Sequence, residues 1–236
     1  MNIKRLVATS TLSVFFAIGS GVASQAHSAE ISVSVTNLTY GMYFTPLFIS
    51  AHSDSVSLFN VGEPASTALE LMAELGMIAE LDTYTSAMGA VNALNPVGES
   101  KFLPSGQTSP SVDISTGDNE YLSVAAMVLP SNDGFAGLNG WKIPAEKGTY
   151  HVMLNAYDAG TEANNELLGD GDENMPGDPT MQGGAGGTGV TSEDMPFVHI
   201  HRGSLGDDDM SGGVSDLNNS VHRWLNPVAR VTVVVK

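Results

Sequence analysis

The stretch Ile31-Ser32-Val33-Ser34-Val35-Thr36 places an apolar side chain at every second position. This period of two is typical of a β-strand that buries one face. The C-terminal stretch 231–236 repeats the pattern, with Val231, Val233 and Val235 on one face. The two stretches predict a single domain whose first and last segments both lie in a sheet.

Further short segments between these two have the composition of strands. They cover residues 44–52, 111–115, 121–129, 149–157 and 197–201. Turn residues separate them, namely Gly117-Asp118-Asn119, Gly134, Gly137, Asn139-Gly140 and Gly148. Several short strands with such punctuation favour an all-β antiparallel sandwich or barrel over a fold that alternates strands and helices.

One or two short helices are expected to interrupt the strands. The first is predicted over residues 67–81, because Thr67 and Glu70 match a capping box and apolar residues follow at helical spacing. A second helix is predicted over residues 84–93, half of which are Ala, Met or Ser.

A long loop rich in Gly and Asp is predicted over residues 163–194. It contains eight glycines and few large apolar side chains, so it cannot bury enough surface to fold independently. Inside it, the segment starting at Asp170 resembles the beginning of a calcium loop, but Met175 and Met181 occupy the positions where an EF-hand needs Gly and Glu. We interpret it as a solvated acidic loop, with a second weak cation site as the alternative, and we interpret Asp207-Asp208-Asp209 in the same way.

The N-terminal 28 residues have the three parts of a secretory signal. Lys4 and Arg5 precede an apolar stretch over residues 6–22, and small residues follow it. The alternative, an N-terminal membrane anchor, needs about 20 apolar residues. Serine, threonine and glycine interrupt this stretch, so a cleaved signal peptide is the prediction.

Cleavage is expected after Ala26 or after Ser28, which leaves a single domain over residues 29–236. No cysteine follows the signal, and this excludes a lipoprotein anchor, disulfides and thiolate metal sites. The mature protein is therefore expected to be secreted or periplasmic, without membrane insertion.

The mature chain is strongly acidic. Removing the signal leaves seven basic and 26 acidic side chains, a net charge of −19. Such a charge repels nucleic acid and anionic membranes. It suits either a solvated surface or hard cations that are bound through oxygen ligands.

Two acidic stretches lie at predicted strand ends. In the first, Leu129-Pro130-Ser131-Asn132-Asp133-Gly134, the carboxylate of Asp133 follows a strand and can point at a loop-bound ion; an Asx-turn is the alternative. In the second, Asp158 and Glu162 lie four residues apart across Gly160. Two carboxylates converge on one point only if a cation neutralises them, and a solvated loop is the alternative.

Together with the chain ends, these stretches resemble the spondin N-terminal domain, the module of F-spondin and mindin. The matching residues are Phe44-Thr45-Pro46, Ala51-His52-Ser53, Pro130-Ser131-Asn132-Asp133, Phe135, Gly137, Tyr157-Asp158-Ala159-Gly160-Thr161 and Pro227-Val228-Ala229-Arg230-Val231-Thr232. The resemblance implies an eight-stranded antiparallel sandwich of C2-like appearance that holds a metal, expected to be Ca²⁺, at one end.

Carried over residue by residue, the metal ligands of that family fall on Asp133, Asp158 and Glu162. The family usually has Asp at the last of these positions, and the extra methylene of Glu162 reaches about 1.5 Å farther. The chain lacks the thrombospondin repeats and the usual cysteines of F-spondin and mindin. Their receptor and matrix partners are therefore not carried over.

A separate pair of side chains, His199 and His201, flanks Ile200 on a predicted strand. They are expected to face the same side about 7 Å apart, a spacing that could ligate a transition metal with His222 as a third donor. We favour the simpler interpretation, a pair of exposed strand histidines.

Signals of catalysis are weak. The sequence has no Gly-x-Ser-x-Gly elbow, no His-Glu-x-x-His and no phosphate loop. We therefore expect a non-enzymatic, exported, calcium-binding module that attaches to a protein or glycan surface. The alternatives are a secreted hydrolase that uses the same carboxylates with a metal-bound water, and a structural envelope protein whose acidic surface keeps it soluble.

Overall fold

The computed structural model describes residues 28–168, 184–189, 195–209 and 211–236. Its elements in chain order are β1 (Glu30–Asn37), β2 (Tyr43–Phe44), β3 (Phe48–His52), α1 (Thr67–Leu75), α2 (Ala79–Ala87), β4 (Val91–Leu94), β5 (Val112–Ser115), β6 (Tyr121–Leu129), β7 (Gly134–Lys142), β8 (Gly148–Asp158), β9 (His199–Ile200) and β10 (Ala229–Val235). The predicted signal peptide, up to residue 27, and the segment around Asp170 lie outside the described residues. Throughout the described ranges, no helix has the length and apolar composition needed to cross a membrane.

The strands form one curved antiparallel sheet. Eight of them follow the order β4-β3-β6-β7-β8-β10-β1-β5, and the two-residue strands β2 and β9 pair with β6 and β8. The edge strands β4 and β5 approach each other, so the sheet is a nearly closed barrel. The predicted all-β fold with eight antiparallel strands and two short helices is confirmed.

The first and last strands are neighbours in the sheet. Val33 pairs with Val233, and Val35 pairs with Val231, in a regular antiparallel register. All four side chains are almost fully buried in the barrel interior. The alternating pattern thus gives both strands an inward apolar face, and burying each of these valines contributes about 1.5–3 kcal/mol.

β6 is an inner strand of the sheet and is buried on both faces. Leu122 and Val124 point into the barrel, while Ala125 belongs to a second apolar cluster outside it. Helix α1 covers this outer face with Leu69 and Met72. This packing on both faces explains why the sequence of β6 is almost continuously apolar.

Helix α1 is shorter than predicted, and the predicted capping box of Thr67 and Glu70 is wrong. Ser66 is the N-cap residue, and its side chain accepts a hydrogen bond from Leu69 N–H at 3.2 Å. The helix ends because Gly76 adopts a left-handed conformation with φ of 65°. A Cβ at Gly76 would lie 2.8 Å from the Cβ of Thr45, so the chain needs glycine there.

The second predicted helix, over residues 84–93, is also misplaced. Helix α2 occupies Ala79–Ala87, and Val91–Leu94 forms the edge strand β4 instead. Pairing of β4 with β3 supplies the backbone hydrogen bonds that a helix would otherwise make. The predicted strand over 44–52 is likewise divided into β2 and β3.

Strand β7 lies where the sequence predicted turns. Gly137 pairs with Ala125 on one side and with Asn155 on the other. It is a site of close packing, because a Cβ there would lie 2.8 Å from the ring of Phe59. That ring is itself held between Phe135 and Tyr157, with centroid distances of 5.1 and 4.8 Å.

Replacing Gly137 with alanine should therefore destabilise the protein. The new methyl group displaces a packed aromatic ring, and we expect the free energy of unfolding to fall by about 1–3 kcal/mol in urea titrations. Gly148 on β8 is the matched control, since its nearest contact to a new Cβ is an ordinary 3.5 Å. A Gly137→Ala variant as stable as Gly148→Ala would contradict this account of β7.

Candidate metal site

The register of β7 and β8 brings two predicted site residues together. Asp133 ends the turn between β6 and β7, and Gly134, the next residue, pairs with Asp158 at the end of β8. In that turn, the hydroxyl oxygen of Ser131 accepts a hydrogen bond from Gly134 N–H at 3.1 Å. Asp133 and Asp158 are both buried, at 0% and 3% exposure, at one end of the barrel.

The carboxylate of Asp133 joins two loops. Its Oδ2 accepts hydrogen bonds from the backbone N–H groups of Thr161 at 2.7 Å and Glu162 at 3.1 Å, and from the Thr161 hydroxyl at 3.3 Å. The Asx-turn alternative is wrong for this residue, because the acceptor serves a distant loop. Among the described residues, no hydrogen-bond donor reaches its buried Oδ1.

The charged form of the Asp133 side chain is electrostatically unfavourable. Burial raises the pKa of its carboxyl group, and the neighbouring Asp158 raises that pKa further. Hydrogen bonds from the amides of the 161–162 loop act in the opposite direction. In the described parts of the chain, no Lys or Arg forms an ion pair with Asp133 or Asp158.

Asp158 is held by its own loop. Its Oδ1 accepts from Gly160 N–H at 2.9 Å, an Asx-turn, and its Oδ2 accepts from the side-chain amide of Asn164 at 2.8 Å. Gly160 has φ of 72°, and a Cβ there would lie 2.3 Å from the carbonyl oxygen of Met195. The predicted glycine turn between Asp158 and Glu162 is therefore required by both conformation and space.

The third predicted residue, Glu162, is exposed at the rim of this pair. Partial burial of its carboxyl group, followed by repulsion from Glu74 and Asp133, raises the pKa of Glu162 to about 7. Glu74 of helix α1 is thus a fourth carboxylate that sequence reasoning missed. No short-range pattern links it to the others, since it lies far from them in the chain.

Oxygen donors and concentrated negative charge are features that hard cations prefer in a binding site. These side chains offer carboxylate oxygens, one buried oxygen of Asp133 has no donor, and like charges are held close together. Asp133 and Asp158 form the buried part, with Glu74 and Glu162 at the rim. Within the described residues, however, no three His, Asp or Glu side chains are already drawn together around one metal position.

The predicted histidine pair is not exposed as expected. His201 is buried against Trp224, with ring centroids 4.9 Å apart, and its Nδ1 accepts from Gly203 N–H at 2.9 Å. Burial lowers the pKa of His201 to about 4. His199 lies partly buried, with its Nε2 3.7 Å from Asp158 Oδ2. The described histidines, His222 included, do not form a metal-binding group.

Acidic residues outside the site stabilise nearby loops by accepting hydrogen bonds from backbone N–H groups. Asp207 accepts from the backbone N–H groups of Val214 at 2.8 Å and Ser215 at 2.9 Å, and these hydrogen bonds lower its pKa. Asp216, which sequence reasoning missed, accepts from Leu168 N–H at 2.8 Å and Gly187 N–H at 2.9 Å. The described parts of the predicted long loop, 163–168 and 184–189, contain neither helix nor strand.

One comparison with known proteins identifies a family. The model of the family described as Spondin_N matches residues 35–179, which is more than half of the chain and includes all four clustered carboxylates. No curated protein matches the chain significantly.

Replacing Glu162 with Gln should stabilise the metal-free protein in a pH-dependent way. At pH 8 the variant lacks a negative charge that partial burial and repulsion from Glu74 and Asp133 disfavour. We expect a gain in unfolding free energy of about 0.2–1 kcal/mol, since water screens this exposed group. As the pH falls from about 7 to 4.5, the folded parent takes up a proton that its unfolded chain does not. The parent is stabilised in this interval, so the advantage of the variant should disappear.

Urea unfolding in chelator at pH 8, 6 and 4.5 measures this difference. Glu146→Gln, at the exposed turn on the opposite end of the barrel, is the control. If Glu162→Gln raises the free energy of unfolding equally at pH 8 and pH 4.5, the other carboxylates do not raise the pKa of Glu162.

Proposed function

The chain belongs to the spondin N-terminal domain family, and from this premise we propose that it is an exported module that binds calcium and attaches to a protein or glycan surface without catalysis. The proposal has three parts: the ion, the binding face and the location. Each is supported by a different feature of the molecule.

The observation that carries the calcium proposal is the buried, unpartnered Oδ1 of Asp133 beside Asp158. An uncompensated buried carboxylate is strongly unfavourable, and a second one nearby makes it more so. In the described chain, His199 lies 3.7 Å from Asp158, but no Lys or Arg pairs with Asp158 or Asp133, and this supports compensation of their charge by a cation from solution.

The donor set favours calcium over other metals. Asp133 and Asp158 would hold the ion from the buried side and Glu162 from the rim. Oxygen-only donors on flexible loops suit Ca²⁺, which accepts six to eight oxygens in variable geometry. Mg²⁺ demands near-octahedral geometry and sheds water reluctantly, so it should bind less tightly. When bound, the ion supplies positive charge and fixes the loops relative to each other.

The end of the barrel that carries this site also exposes large apolar side chains. Tyr40 is 74% exposed and Leu225 is 86% exposed. Both flank this end, because β1 finishes at Asn37 and pairs there with Ala229, where β10 begins. Exposed aromatic and aliphatic side chains beside a polar rim are typical of interaction surfaces, which supports attachment to a partner through this face.

The carboxylates themselves support binding rather than turnover. Three of the four oxygens of Asp133 and Asp158 accept hydrogen bonds that hold the loops. We therefore assign the site a structural role in presenting the face.

The family and the predicted signal peptide both support the proposed location. The spondin domain is typical of extracellular proteins. We propose secretion or export to a periplasm, in agreement with the signal peptide predicted over residues 1–28.

Calcium should raise the melting temperature of the protein relative to chelator. An ion that binds only the folded state adds about 2.7 kcal/mol at a hundredfold excess over Kd. Scanning calorimetry in chelator, in millimolar calcium and in millimolar magnesium tests this. An unchanged melting temperature in calcium would end the calcium proposal.

The Asp133→Asn variant should be more stable than the parent protein in chelator and less stable than the parent protein in calcium. Asn keeps an oxygen that can accept from the 161–162 loop but removes the buried charge. We expect calcium affinity to fall at least tenfold, while the variant is more stable than the parent in chelator because repulsion from Asp158 is lost.

Asp118→Asn, in an exposed turn, is the matched control and should leave both measurements unchanged. Glu162→Asp, which restores the usual family side chain, should bind calcium at least as well as the parent. Parent-like calcium affinity in Asp133→Asn would place the ion elsewhere.

A further inference from the structure

A groove lies on the outer face of the sheet, beside the loop that follows β3. Its volume is about 310 Å³, near the lower limit of the range of about 300–1,000 Å³ that is usual for ligand pockets. It is lined by Phe59 and Asn60 of that loop and by Met153, Asn155 and Tyr157 of β8. Among the described residues, none that lines the groove is charged.

Two polar side chains of β8 are available to a ligand in this groove. Met153, Asn155 and Tyr157 point outward together, because Leu154 and Ala156 between them are buried in the barrel interior. Within the described parts of the chain, neither the Asn155 amide nor the Tyr157 hydroxyl makes a hydrogen bond. Both groups can donate and accept, so they suit a ligand that is rich in hydroxyl groups.

The apolar surface of the groove is fixed in position. The ring of Tyr157 packs against Phe59 and Phe135, with centroid distances of 4.8 and 5.6 Å. Met153 is 55% exposed and adds apolar surface on the same face of β8. A ring that is already held in place loses little conformational freedom when a ligand binds. The apolar C–H face of a sugar ring, with hydroxyl groups at its edge, is complementary to such a surface.

A cationic side chain, Arg230 of β10, lies next to the groove. It pairs with Met153 in the register of β10 and β8, and it points outward because Ala229 and Val231 are buried. Residues two positions apart on paired strands are about 7–8 Å from each other on the same face, within reach of a long side chain. Arg230 can therefore approach a ligand that binds at Asn155.

The guanidinium group of Arg230 lacks a partner in the described chain. Its Nε atom is buried without a hydrogen bond, and none of the ion pairs between described residues includes Arg230. The chain has 26 acidic residues, so an arginine without a carboxylate partner needs a physical explanation. A guanidinium group binds a carboxylate through two parallel hydrogen bonds, and a ligand with a carboxylate would supply this partner.

We propose that this groove and Arg230 bind a saccharide that carries a carboxylate, such as a uronic acid unit. Arg230 binds the carboxylate, and Asn155 and Tyr157 exchange hydrogen bonds with the hydroxyl groups. The inference rests on the attachment part of the proposed function, whose ligand it names, and it does not require calcium. Because the acidic chain repels polyanions, we expect the bound segment to carry a single carboxylate.

The first test is calorimetric titration of the full-length purified protein with matched disaccharides. The panel pairs glucuronic, galacturonic and mannuronic acid disaccharides with the neutral disaccharides in which a hydroxymethyl group replaces the carboxylate. We expect at least one uronic acid disaccharide to bind, and its neutral counterpart to bind at least tenfold more weakly. If no uronic acid disaccharide binds, or if the neutral counterpart binds equally well, the inference is overturned.

The second test locates the site with variants. Asn155→Ala and Arg230→Gln should each weaken binding of the uronic acid disaccharide at least tenfold. Thr149→Ala, exposed on the same face of β8 but outside the groove, is the control for Asn155, and Lys101→Gln, which removes an exposed charge elsewhere, is the control for Arg230. Both controls should bind like the parent protein.

The outcomes separate this inference from the calcium proposal. Parent-like affinity in both Asn155→Ala and Arg230→Gln would place the saccharide elsewhere and overturn the inference. The calcium proposal stands in that case if calcium still raises the melting temperature. Should Arg230→Gln not fold, Asn155→Ala decides, because its side chain makes no hydrogen bond within the described chain and its removal should leave the fold intact.

Discussion

The barrel depends on the position of β10 between β1 and β8. Seven residue pairs join β10 to β1 and seven join it to β8. Its inward valines also fill the core, so one strand supplies both backbone hydrogen bonds and packing. Without it, β1 and β8 would each expose an unpaired edge, which folded proteins generally avoid. The family match ends at residue 179, and the strand that completes the sheet lies beyond it.

This closure sets the geometry of the acidic cluster. Because β8 is held between β7 and β10, its end at Asp158 lies beside the turn that carries Asp133. Amides of the 161–162 loop then fix Asp133, and the packing of α1 on β6 and β7 brings Glu74 to the same place. The stability of the core thus holds together carboxylates that repel one another, and such strain is typical of functional sites.

Glycine was the least informative residue type when read locally. Gly134 and Gly137 suggested turns, but both lie within β7. At Gly137 the missing side chain leaves room for the ring of Phe59. Gly160 does form the turn that was expected of it. The difference lies in the surroundings: a glycine that allows close approach and one that allows a positive φ have the same sequence signal.

The sequence by itself determined the strands with alternating or continuous apolar patterns, the all-β class, the family resemblance, and Asp133 and Asp158 as members of one cluster. These follow from period-two patterning and from short motifs, which are properties of neighbouring residues. Only the tertiary structure decided where the helices end, that residues 91–94 form a strand, and that His201 is buried. It alone placed Glu74 in the cluster and gave Asp216 its role in bracing the loops. The physical reason is the same in each case: these features depend on contacts between segments far apart in the chain, whose energies exceed local preferences.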